Sequence, residues 1–270
     1  MKRHIIFLIS IICLCLPSAV HAVEGLPGSA WGDLHWEVPK SGDNNVILEG
    51  WMKQGIAWEK WQKETTNFQL TTYLTARYKW DQQEFDWNNY LSPGAGISID
   101  MSRPNGPLAS LGLEYLYQMN YRSGTQQGKT ALFMNWYHWW DFDNKKYPGA
   151  TWGDFRWEIP DTGNSDAILQ TWIRQGIVIK RWDYGSNNFL LNPYLKFSYK
   201  WDSEGLDWNN SFGSAVGVAL DMVSAKGPLL SWGIEYTWEN NIRTGEPLQR
   251  VNVYMMWYFW WDLMKKGPSQ

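Results

Sequence analysis

The sequence predicts an all-β chain, a 12-stranded antiparallel transmembrane β-barrel built from two tandem six-stranded repeats. Three observations predict it. Apolar and polar residues alternate with period 2 over segments of ten residues or more, the signature of strands with unlike faces. Residues 27–142 match residues 148–263 at a constant offset of 121 without a gap, and 48 of the 116 positions are identical. The chain is 17% aromatic, with 21 Trp, yet its mean hydropathy is −0.45. A chain that is hydrophilic on average and this aromatic must sort its apolar groups finely. Solenoid and propeller repeats run to about 20–50 residues. A unit this long, used twice, is either two domains or two halves of one closed structure. The connection Asp143–Tyr147 is only five residues long, which favours two halves of a single domain spanning 23–270.

The N-terminus is set apart. Met1-Lys2-Arg3 precedes the apolar run Ile5–Leu16, then Pro17-Ser18-Ala19-Val20-His21-Ala22. A basic start, a short apolar run and a Val-x-Ala site form a secretory signal peptide, expected over residues 1–22. The run is too short for a helix that spans a bilayer, which takes about 20 residues. Both cysteines, Cys13 and Cys15, fall within it, so no disulfide framework is expected. Removing Lys2 and Arg3 leaves 22 basic residues against 27 acidic, a net charge of −5. That balance gives no reason to expect nucleic acid as a partner.

Each repeat divides into six strands. Strand A, 31–39, sets Leu34, Trp36 and Val38 against Asp33, His35 and Glu37. Strand B, 46–61, is long and less cleanly alternating. Strand C, 68–81, sets Phe68, Leu70, Leu74, Ala76, Tyr78 and Trp80 against Gln69, Thr71, Tyr73, Thr75, Arg77, Lys79 and Asp81. Its second copy carries Pro193, which removes a ladder donor and calls for a local irregularity such as a bulge. Strand D, 94–101, sets Ala95, Ile97 and Ile99 against Ser98 and Asp100. Strand E, 110–122, sets Leu111, Leu113, Tyr115 and Tyr117 against Glu114, Gln118, Asn120 and Arg122. Strand F, 130–141, sets Leu132, Met134, Trp136, His138 and Trp140 against Phe133, Asn135, Tyr137, Trp139 and Asp141. Turn-forming residues separate every pair. Twelve strands in about 240 residues leave about 20 residues per strand and connection, a meander long enough to cross a bilayer at a tilt.

With a signal peptide, no cysteine outside it, alternating strands and aromatic strand ends, the chain from about 27 to 263 resembles the transmembrane β-barrels of the Gram-negative outer membrane. The resemblance is to the class and rests on pattern. It implies an even strand number, both termini in the periplasm, outer-membrane lipid as surroundings and the barrel-assembly machinery as a partner. Such barrels often end on an aromatic residue; here "YMMWYFWWDL", 254–263, looks like a last strand, but Met264–Gln270 follow it.

In lipid every backbone group must be paired, so the sheet must close and the polar parity must turn inward. The charged positions that keep their type in both copies are therefore expected to line a lumen. They are Asp33/Asp154, Glu37/Glu158, Lys53/Arg174, Lys79/Lys200, Asp100/Asp221, Glu114/Glu235, Arg122/Arg243 and Asp141/Asp262, five acids and three bases per copy. Trp51/Trp172 and Tyr73/Tyr194 share that parity, as do Tyr137/Tyr258. Such rings either stack on sugar rings or fill space between facing strands. Trp61/Trp182, Trp80/Trp201 and Trp140/Trp261 fall at strand ends, where amphipathic rings form interface girdles.

Catalysis has little support. Beyond residue 22 the histidines are His35 and His138, opposite Arg156 and Phe259 in the other copy, and neither is joined to a recognisable nucleophile. No metal-ligand spacing and no cofactor motif is present, so neither a metal nor a cofactor is expected. The functions left are a pore for hydrophilic solutes such as saccharides, a closed-lumen structural or receptor barrel in envelope or exopolysaccharide assembly, and a soluble secreted carbohydrate-binding β-protein. The words "YKWD…DWNN", at 78–89 and 199–210, are expected to mark where strand C leaves the membrane, with an Asx-type turn beyond it.

Overall fold

The computed structural model describes residues 23–85, 88–104, 106–142, 146–185, 187–206, 209–224 and 227–264. The expected signal peptide and the Asp-Trp halves of both DWNN words lie outside the described residues. Thirteen strands follow in order: β1 (Pro27–Pro39), β2 (Asn45–Lys63), β3 (Thr66–Asp81), β4 (Tyr90–Ser102), β5 (Leu108–Asn120), β6 (Gln126–Trp140), β7 (Gly149–Pro160), β8 (Asp166–Gly176), β9 (Lys180–Tyr184), β10 (Asn187–Asp202), β11 (Ser211–Ser224), β12 (Gly227–Asn241) and β13 (Pro247–Asp262).

They make twelve staves, because β8 and β9 are two pieces of one stave and both pair with β10. Pro193 on β10 explains the break. It offers no N–H on the side facing residues 177–179, and the backbone there keeps single bonds, Ile177 N to Pro193 O at 3.0 Å and Ile179 N to Leu191 O at 3.0 Å. In the first half β2 stays continuous and takes a bulge between Ala57 and Glu59 instead.

Every stave is antiparallel to its neighbours, and the ring closes through β13 on β1 and β10 on β11. Following registered partners from Gly28 leads through Gln54, Leu74, Ala95, Tyr115 and Thr130 to Ile159. A path from Gly149 leads through Gln175, Leu195, Val216, Tyr236 and Val251 to Val38. Each half-turn climbs from the foot of one stave to the head of the opposite one, so the staves are strongly tilted and staggered, as barrel closure requires.

The two faces are sorted opposite to a soluble barrel. Leu74 is 70% exposed, and Met52, Ile97, Leu111, Leu132, Ile173, Leu195, Val216, Ile234 and Val253 are exposed on stave after stave. Glu114, Arg156, Arg174, Asp221 and Glu235 are buried. An apolar belt around the whole ring far exceeds the few-hundred-Å² patches of soluble monomers, and charge is costly toward lipid. The sorting is that of a barrel immersed in hydrocarbon, and it removes the soluble alternative.

Two seams share one packing device. On β13 against β1, Trp261 lies over Gly28 and Trp257 over Gly32; on β6 against β7, Trp140 lies over Gly149 and Trp136 over Gly153. A Cβ would come within 2.2 Å of the Trp261 ring at Gly28 and within 2.0 Å of the Trp136 ring at Gly153. The rings reach past the glycine stave: Trp261 Nε1 donates to Gln54 Oε1 at 2.8 Å and Trp140 Nε1 to Gln175 Oε1 at 3.0 Å.

Candidate functional site

Side chains on staves that are not neighbours can meet only through the interior of a closed ring. Such meetings define the lumen. Toward the outer end Glu114 on β5 is held by Arg77 from β3 at 3.0 Å, by Arg156 from β7 and by the Tyr73 hydroxyl at 3.1 Å. Arg156 also reaches Glu158 at 3.1 Å, and Lys129 donates to Glu158 at 2.6 Å. Lys79 pairs with Glu49 at 3.1 Å. His35 lies between Asp33 and Glu37, at 3.3 and 3.4 Å, and Arg250 joins Glu37 to Glu239. A recess of about 240 Å³ opens above this network, lined by Glu37, Asn45, Gln83 and Arg250 among others.

Equivalent positions repeat their bonds in the two halves. Tyr73 donates to Glu114 and Tyr194 to Glu235, the latter at 2.8 Å. Lys53 approaches Asp100 at 3.6 Å, and Arg174 donates to both oxygens of Asp221 at 3.1 and 3.2 Å. Ser110 donates to Asp100 and Ser231 to Asp221, each at 2.6 Å. Lys196 takes the place beside Glu235 that Arg77 and Arg156 fill beside Glu114. Glu114, Arg156, Arg174, Asp221 and Glu235, all buried, thus each face an opposite charge, which a low-dielectric interior demands.

Near the end that carries the termini, rings replace charges on the barrel axis. Trp31 on β1 and Trp152 on the opposite stave β7 stack with centroids 6.2 Å apart and planes at 6°. Tyr137 on β6 and Tyr258 on β13 meet at 5.8 Å, with Trp139, Trp260 and Trp51 against them. Both cross-axis pairs join positions 121 apart. Beside them Phe142, Ala150, Leu190 and Val223 form a dry cluster, with Trp172 packed on it.

Several expected lumen positions sit elsewhere. β5 ends at Asn120, so Arg122 belongs to an outer turn, where it pairs with Glu84. Arg243 likewise lies in an outer turn, beside Gly205. These turns begin earlier than the alternation suggests because Asn120 and Asn241 fold back, their side chains accepting from the N–H groups of Arg122 and Arg243 at 2.8 Å. Asp141 follows β6 with φ 61°, and Asp262 ends β13, accepting from Leu26 N at 2.9 Å. Both mark the inner rim. Lys200 keeps the inward parity of Tyr194 and Lys196 but is exposed near the outer end of β10. Trp61, Trp80, Trp182 and Trp201 lie exposed on the outer surface, whereas Trp140 and Trp261 are half-covered at the seams.

Arg77, Arg156, Trp31 and Trp152 escaped the comparison of copies in different ways. Arg77 and Arg156 face Ser198 and His35 in the other copy, so a search for charges of constant type passes over them. Trp31 and Trp152 are constant and share the inward parity of Asp33; their meeting is a matter of opposite staves. His138 lies on the outer face, 5.6 Å from the Trp140 ring, and Thr151, registered with it, donates its hydroxyl to Trp172 O. Among the described residues no group of three or more His, Cys, Asp or Glu side chains is placed to hold a metal ion.

The repeated word has a plain structural content. Asn89 Nδ2 donates to Asp81 Oδ1 at 3.2 Å and to Phe85 O at 2.8 Å. Asn210 does the same to Asp202 and Leu206 at 3.2 and 2.8 Å. The last Asn of DWNN and the Asp of YKWD clasp the foot of an outer loop, twice.

Closed antiparallel ladder, apolar exterior and polar interior together define the class: a membrane β-barrel of twelve staves. No protein-family model and no curated protein matches the chain. Among solved structures it is similar to the β domain of the Bordetella autotransporter BrkA, at 11% identity and TM-score 0.42, over 85% of this chain and 98% of that one. It is also similar to the KdgM porin, at 9% and 0.36 over 85% and 99%, and to the NanC porin, at 9% and 0.37 over 84% and 98%. The class assignment rests on the ladder and the two faces themselves.

Proposed function

We propose that the chain is an outer-membrane barrel, made of two six-stranded halves, with a constricted lumen that passes ions and small hydrophilic solutes and excludes polymers. The observation that carries this reading is the division of the lumen into a wet storey and a ringed floor. Asp33, Glu49, Lys79 and Arg77 keep 24–32% of their side-chain surface open to water although they face the interior. On the axis below them, the Trp31–Trp152 and Tyr137–Tyr258 pairs leave no central bore of porin width. Twelve staves lie between the filled interiors of eight-stranded barrels and the open channels of sixteen-stranded ones. In this reading the rings fill space between opposite staves; they are not free to stack on a passing saccharide. The four exposed tryptophans form the interface girdles, and no reaction is assigned to the chain.

Planar-bilayer recording of the folded protein tests it. Small, steady conductance, well below that of a sixteen-stranded porin in the same bilayer, is expected. Porin-sized steps would overturn the constriction. No conductance at all would favour the other reading that the paired lumen charges support, a closed barrel acting in envelope assembly through its outer loops.

A further inference from the structure

The two halves differ at the foot of the lumen, and the difference is one-sided. Four inward positions that are polar in the first half are apolar in the second: Ser29 against Ala150, Gln69 against Leu190, Ser98 against Ala219 and Ser102 against Val223. All lie on the face that points inward, since Ser29 shares the parity of Trp31 and Asp33, while Ser98 and Ser102 share that of Asp100. The structure treats three of the four pairs differently; Ser98, at 1%, is as buried as Ala219, and its hydroxyl accepts from Lys53. Ala150, Leu190, Ala219 and Val223 are at most 2% exposed, and Phe142 from the β6–β7 connection packs with Ala150, Leu190 and Val223. Asp221 beside them is fully buried, locked by Arg174, Asn192 and Ser231. In the first half Ser29, Gln69 and Ser102 remain partly exposed. Lys53 and Asp100 keep 19% and 27% of their side-chain surface open, where Arg174 and Asp221 keep 6% and 0%. Lys53 donates to Ser98 at 3.0 Å and lies 3.9 Å above the Tyr73 ring.

Water enters a narrow passage where polar groups line it and leaves it where the walls are apolar, which is how hydrophobic constrictions close pores. Rings block the axis and an apolar cluster seals the second half. We propose that the passage between the lumen and the inner rim runs off the axis, through the first half only, past Lys53 and Asp100 and out between Ser29, Gln69 and Ser102. Its cargo is small hydrated ions, because the Lys53–Asp100 pair stands in the way at 3.6 Å. This deepens the pore reading and rests on it. It also gives the sequence difference between the halves a role: one half conducts and the other supports.

Cysteine scanning separates the two halves. Ser102→Cys is compared with Val223→Cys, and Ser29→Cys with Ala150→Cys as a second pair, each in the full chain with folding checked by gel mobility. Wild type controls for Cys13 and Cys15. A charged, water-soluble thiol reagent is expected to modify the first-half cysteines roughly tenfold faster than the second-half ones, since a thiol buried among apolar groups resists ionisation. Modification at Ser102→Cys should lower the conductance, and modification at Val223→Cys should leave it unchanged. Equal rates, or a block from the second half alone, would overturn the off-axis route while leaving the pore intact. A barrel that conducts nothing before labelling would overturn the pore reading, and equal labelling rates would then overturn the wet first-half crevice as well.

Discussion

Glu114 shows how single residues carry the interior. It is 3% exposed and answers two guanidinium groups and a phenol hydroxyl. Removing one partner from a buried ionic cluster leaves the others uncompensated at about 3–5 kcal/mol. Glu114→Gln keeps the shape and loses the charge, so a loss of about 3 kcal/mol is expected, read as a fall in the temperature at which the folded gel band converts to the unfolded one. Backbone strain gives a test of opposite sign. Glu64 holds φ 54° in the turn between β2 and β3, and its counterpart in the other half is Gly185 at φ 59°. Left-handed backbone costs a residue with a Cβ about 1 kcal/mol, so Glu64→Gly should raise the same conversion temperature. A fall would show that the Glu64 side chain contributes more than its backbone costs. The Asp81–Asn89 clasp belongs to this scale too. Asn89→Ala deletes two donated bonds at the loop's foot, and the loop at 82–89 should become open to protease on intact cells while the barrel stays folded.

Between strands, the seams decide more than any one side chain. Trp257 over Gly32 and Trp136 over Gly153 let two staves close with flat rings across them. Gly32→Ala would place a methyl 2.1 Å from the Trp257 ring. Overpacking of this kind costs about 1–3 kcal/mol, and the variant is expected to fold less completely, measured as the fraction of heat-modifiable protein. Proline at 193 is the other element-scale feature. Pro193→Thr places there the residue found at the equivalent position 72 and returns a backbone donor facing 177–179. It should gain about 1 kcal/mol and slow amide exchange in β9; unchanged exchange there would sink this account of the split stave. The glycines and tryptophans of the seams were legible as spacings, four apart in both copies. Their pairing was not, because it depends on which strand neighbours which.

For the whole molecule, the apolar belt makes the first prediction: recovery only with detergent, and a folded form that migrates apart from the boiled one. Soluble recovery without detergent would contradict the sorting of the two faces. Much of this architecture was written in the chain itself. Period-2 alternation needs only the pleat of a strand, so strand positions and the inward parity of Asp33, Lys53, Tyr73, Asp100 and Glu114 followed from local pattern. The 121-residue offset was visible for the same reason, since identity between copies requires no folding to detect. What the tertiary structure alone decided is which side chains meet across the ring. Trp31 and Trp152 stack because β1 and β7 are opposite staves; Arg77 and Arg156 converge on Glu114 because β3, β5 and β7 are near but not adjacent. Arg122 and Arg243 left the lumen because asparagine turns end their strands early. Alternation tells a residue which face it occupies, and only closure, tilt and stagger tell it whom it will face there.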